Sequence, residues 1–142
     1  MNFAKVTLCT LLFTSLMAVF AAAQNLRPQG AYGFTVQGNI LPPDGGNINA
    51  VSVGRIVFEE SDECTFDISL NAGGNFAEDL SAIECTYQVD TSTGIGKITL
   101  ITNPDELAPG FIELKFVTVD NSKQLRFVRT DIGVALGVAV RQ

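Results

Sequence analysis

From Ala31 almost to the C-terminus, apolar and polar residues alternate, and each alternating run is bounded by Gly, Pro, Asn or Asp. In an extended chain every second side chain points to the same face, so this period demands strands. The 3.6-residue stripe that a helix would need is missing after the N-terminal segment. Eight strands are expected, near residues 31–38, 50–59, 64–70, 83–89, 95–102, 111–119, 124–130 and 134–141. The polar loop with Pro42-Pro43-Asp44-Gly45-Gly46 suits no strand. The stretch Asn71–Ser81, with Gly73-Gly74, reads as the longest connection, with room for a short helical turn. Asp120-Asn121-Ser122-Lys123 reads as a tight turn of residues that bond their own backbone.

Eight short strands with mostly short connections predict an all-β fold, a single eight-stranded antiparallel up-and-down barrel, with a β-sandwich as the alternative. Closure removes the sticky edges of an open sheet. It also predicts that the first strand near Phe34 lies beside the last near Val138. Tyr32, Phe34, Phe58, Phe66, Tyr87, Leu114, Phe116 and Phe127 fall in phase on these strands and are the expected interior. A barrel of eight strands is either just filled by side chains or holds one small ligand.

The first residues have the three parts of a secretory signal. Lys5 gives the positive start, Val6–Phe20 the apolar stretch, and Ala21-Ala22-Ala23 the small residues before a cleavage site, with Gln24 as the new N-terminus. The apolar stretch is near the lower limit for spanning a bilayer, and its small-residue exit favours cleavage over anchoring. The expected division is a signal peptide, 1–23, and a barrel domain, 24–142, destined for secretion or the periplasm. No second run of spanning length follows, so no membrane is expected after cleavage.

Composition narrows the chemistry. Among 142 residues there is no His and no Trp. Without His, the chain lacks the side chain most used for proton transfer and zinc binding near neutral pH, so Ser-His-Asp, Cys-His and His-metal mechanisms are excluded. The net charge is −6, and loss of Lys5 makes the mature chain one unit more negative. That balance argues against nucleic acid or an anionic membrane as partner, since both call for concentrated Lys and Arg. No cofactor or metal signature is present, and the oligomeric state is not specified.

After cleavage two cysteines remain, Cys64 and Cys85. An even pair in an oxidising compartment reads as a disulfide. They lie on consecutive predicted strands, on faces that can match. An antiparallel register setting Cys64 opposite Cys85 also sets Phe66 opposite Ile83, but continues to the poor pairs Ile68–Ser81 and Leu70–Asp79. Regular pairing is therefore expected to give way to the loop soon after Phe66.

Several segments share a pattern. Gly30-Ala31-Tyr32-Gly33-Phe34 through Gly38, Gly54-Arg55-Ile56-Val57-Phe58, Tyr87-Gln88-Val89 with Gly94-Ile95-Gly96, and Val119-Asp120 through Lys123, Leu125-Arg126-Phe127-Val128 and Thr130-Asp131 resemble a group of small secreted bacterial β-barrel proteins. The resemblance implies a barrel similar to calycin-like barrels and to the allene oxide cyclase type. It carries no catalytic residue. Lipocalins and biotin-binding barrels place a Trp near the barrel floor, which this chain lacks.

Three side chains are candidates for a ligand: the hydroxyls of Tyr32 and Tyr87 on apolar faces, and Arg129, in phase with Leu125 and Phe127 and able to anchor an anion. The ordinary readings are a satisfied buried hydroxyl and an end-of-strand ion pair with Asp131. The acidic run Glu59, Glu60, Asp62 and Glu63 has the oxygens for calcium but not the spacing of a calcium loop, and reads as a solvated turn. Two functional readings follow. One is a non-catalytic secreted barrel binding a small apolar ligand or a protein surface. The other is a cyclase or isomerase shaping an apolar substrate in the lumen.

Overall fold

The computed structural model describes residues 26–41, 45–106, 110–129 and 133–142. The predicted signal segment lies outside the described residues. The strands are β1 (Gly30–Ile40), β2 (Ile48–Phe58), β3 (Cys64–Ala72), β4 (Asn75–Ser81), β5 (Glu84–Val89), β6 (Ile95–Ile101), β7 (Phe111–Val119), β8 (Gln124–Arg129) and β9 (Gly133–Arg141). All pair antiparallel in one strongly curled, barrel-like sheet of order β4-β3-β2-β1-β9-β8-β7-β6-β5. The first and last strands lie side by side as expected, with Phe34 opposite Ala139 and Thr35 opposite Val138.

The strand count is nine rather than eight. The extra strand is β4, formed by the stretch expected to be a loop or helical turn. Gly73 and Gly74, with φ of 60° and 91°, make a two-residue turn that sets Ala72 opposite Asn75. Such turns need positive φ at both central residues, which Gly supplies without strain. The poor pairs forecast by a rigid register are avoided by slipping it. Ile68 meets Leu80 instead of Ser81, and after a shift between Ile68 and Leu70, Leu70 meets Ala77 instead of Asp79. Asp79 takes a φ of 55° near this irregularity, the left-handed conformation that Asp tolerates better than most residues. Ile83, expected to pair with Phe66 on the inner face, is exposed. The inner face beside it is instead taken by Ala82, whose N–H donates to the Phe66 carbonyl.

Edge strand β5 curls round to meet the first residues of β3 rather than the other edge strand, β4. Glu63 and Thr86 form a bridge, Tyr87 N–H donates to the Asp62 carbonyl at 2.8 Å, and the Cys64–Cys85 disulfide spans the same seam with its Cα atoms 4.9 Å apart. Cross-linking residues separated by 21 positions removes chain entropy from the unfolded state, by an estimate of about 3 kcal/mol.

All eight residues expected inside are buried. They join one cluster with Ile56, Ile98, Leu100, Ile112, Leu125 and Ala139. Phe34 stacks on Phe66 at 4.9 Å and meets Phe127 edge-on at 5.9 Å. Phe58 takes Tyr32 and Tyr87 on its edges at 5.4 and 4.9 Å. Three of the rings have a glycine as cross-strand partner: Phe34 opposite Gly54, Phe116 opposite Gly96, Phe127 opposite Gly137. In each case a Cβ on the glycine would overlap the ring. A missing side chain on one strand is filled by a ring from the next, which is how a small barrel packs large residues at close density.

Candidate functional site

One end of the barrel is gathered around Tyr32 and Tyr87. Both sit at inward positions, on β1 and β5, because alternation places them in phase with Phe34 and Cys85. Both hydroxyls reach out of the core to turn carbonyls. Tyr32 donates to Ser122 in the β7–β8 turn, and Tyr87 donates to Glu59 in the β2–β3 turn at 2.6 Å. Burial disfavours the charged phenolate and pushes both phenols above their ordinary value; for Tyr87 the neighbouring Arg27 partly offsets this.

The segment ahead of β1 crosses this end. Pro28 is fully buried, and Leu26 lies against Gly94. The Arg27 guanidinium stands 5.2 Å from the Tyr87 ring centre, donates to the Glu60 carbonyl at 2.8 Å, and pairs with Asp62 at 2.6 Å. Arg27 thus ties the N-terminal segment to the β2–β3 turn and to β5, across the seam that the disulfide bridges. Sequence reasoning did not single it out. A lone Arg before a Pro carries no pattern, and only the fold brings it over Tyr87.

Asp62 is thereby engaged by Arg27, and Glu63 accepts from the Ser61 hydroxyl at 3.3 Å. The acidic residues of this turn are solvent-exposed, and among the described residues no group of three or more acidic or cysteine side chains is placed to hold a metal ion.

Arg129 lies elsewhere. It ends β8, half-buried, between Leu114 and Ala135, whereas Tyr32 pairs with Arg141 at the other end of β9. At about 3.3 Å per residue the two levels are roughly 20 Å apart. The fold therefore brings Tyr32 and Tyr87 together through Phe58 and leaves Arg129 at the opposite end. Asp131, its expected ion-pair partner, is outside the described residues.

The outer surface has a groove of about 500 Å³ over β2, β3 and β4, lined by Asn49, Val51, Val53, Ser69, Asn71 and Phe76 among others. Phe76 is 62% exposed there. Nothing in the alternation points to it, because it depends on the unexpected strand β4. Comparison with protein-family models, curated proteins and solved structures finds no match. Among the described residues no helix is long and apolar enough to cross a membrane.

Proposed function

We infer that the protein is a secreted or periplasmic, non-catalytic binding module that meets its partner, a protein surface or a small apolar ligand, on the outside of the barrel. The observation that carries this reading is the packed interior. Rings from β1, β7 and β8 occupy the space over Gly54, Gly96 and Gly137, and both inward tyrosine hydroxyls are bonded to backbone carbonyls. A lumen of this kind leaves little room for a substrate, which weighs against a cyclase or isomerase. The disulfide pair is compatible with an oxidising compartment. The pattern resemblance to small secreted barrels points the same way.

The test is an NMR titration of the mature chain with a small apolar probe such as cyclohexanol. This reading expects shifts at Val51, Asn71 and Phe76 around the outer groove and none at Phe34, Leu114 or Phe116. Shifts centred on those interior residues would overturn it and favour a lumenal ligand.

A further inference from the structure

Strand β9 departs from apolar–polar alternation along almost its whole length. A half-buried antiparallel strand alternates apolar-in with polar-out, whereas a strand covered on both faces is apolar throughout. From Val134 to Val140, β9 contains no polar residue. Its inward positions are small: Ala135, Gly137 and Ala139, with the last fully buried. Its bulk faces out, where Val134, Leu136, Val138 and Val140 are 61%, 66%, 38% and 52% exposed. These four form a continuous aliphatic ridge along the barrel. It is flanked by Thr35 and Gln37 on β1 and by Arg126 and Val128 on β8.

The charge pattern is equally uneven. The chain carries 15 Asp and Glu, yet the four neighbouring strands β2, β1, β9 and β8 contain none. An acidic molecule thus has a run of four neighbouring strands, with β1 and β9 at its centre, on which two copies can approach without opposing strand carboxylates. The uncharged ridge selects neither a strongly basic nor a strongly acidic partner. Lipid fits poorly, because the adjoining strands place Gln37, Gln124 and Arg126 at the same levels, and a bilayer-facing surface is apolar on every strand that meets it. What matches an aliphatic sheet face of this twist is another of the same kind, stacked about 10 Å away.

We propose that the outer face of β9, with its neighbours on β1 and β8, is a symmetric interface between two copies of this chain. This does not depend on the binding reading above, because the adjoining groove over β2–β4 is lined by no residue of β1, β8 or β9. The ridge is small beside the roughly 20–30 residues per side of a standard interface, so the dimer is weak, with a dissociation constant between micromolar and millimolar.

Sedimentation equilibrium of the mature chain over that concentration range tests the proposal. A monomer–dimer equilibrium is expected. Leu136→Glu, which places a carboxylate on each side of the symmetry axis, should weaken it at least about tenfold. Val138→Thr, which keeps the β-branched shape, should weaken it less, and Gln88→Glu on the far side of the barrel should leave it unchanged. Circular dichroism confirms that each variant is folded. A chain that stays monomeric throughout, or a dimer that neither ridge substitution weakens, overturns the proposal. So does a monomer whose Leu136 and Val138 signals shift with phosphatidylcholine vesicles, which would assign the face to lipid.

Discussion

The two ends of this barrel are built differently. At the end holding Tyr32, Phe58 and Tyr87, inward side chains are aromatic and almost wholly buried. The seam is bridged by Cys64–Cys85, and the turns are tied down by two tyrosine hydroxyls and Arg27. Toward the other end Ile112 and Leu114 on β7 stay buried, but the inward positions of β1, β2 and β3 hold Val36, Ile68 and Leu70, all only half-buried, and the small polar Ser52. The apolar surface there has moved outward, to Val51, Val53 and Phe76. The tyrosine ties and the disulfide are thus gathered at one end, and the outer groove lies toward the other.

The largest expected effect separates the two ends directly. Phe116→Ala removes a ring lying over Gly96 and touching Phe58, and should cost about 3–5 kcal/mol in urea unfolding. Ile68→Ala, at a half-buried site, should cost less than about 2 kcal/mol. Equal losses would break the contrast.

Next in size is the seam. Replacing Cys64 and Cys85 together by Ala should lower stability by about 2–4 kcal/mol while the far-ultraviolet spectrum is retained, because the buried core cluster extends well beyond the bridge. Loss of the β spectrum would show that the curl depends on the bond. Smaller again is Gly54→Ala. Its methyl would press on the Phe34 ring and on the Asp67 carbonyl, and backbone cannot yield as a side chain can. A loss of about 1–3 kcal/mol is expected, and no loss would show that Phe34 is loosely seated.

The mildest perturbation is alkaline pH. The chain has only two tyrosines, both buried at the tied end with phenols raised above the ordinary 10.0. The folded state therefore holds these protons more tightly than the unfolded state. Their contribution to stability is complete below pH 10 and is lost as pH rises through the folded values. Tyrosinate absorbance should show no step at the ordinary value and should appear together with unfolding. A normal titration in the folded protein would mean that this end is open to solvent.

Much of this architecture was legible in the alternation. Tyr32, Phe34, Phe58, Phe66, Tyr87, Leu114, Phe116 and Phe127 could be assigned to the interior because each holds phase with its neighbours. The pairing of β1 with β9 followed from closure. What escaped was β4. Its hairpin signal, Gly73-Gly74, sits among acidic and small residues, and its register slips near Asp79, so no single offset pairs its apolar residues. The groove escaped with it. Arg27 was hidden for another reason: its partners Glu60, Asp62 and Tyr87 are distant in sequence and meet it only across the closed seam.

The central claim, that the barrel is filled and works from its outer surface, has a direct measurement. Xenon enters dry apolar cavities large enough to hold it and shifts nearby resonances. Under xenon pressure, the methyl signals of Ile98, Leu114 and Leu125 should stay in place in the native protein and move in Phe116→Ala, where a ring has been taken out. Movement of those signals in the native protein would reveal an open lumen and contradict the account.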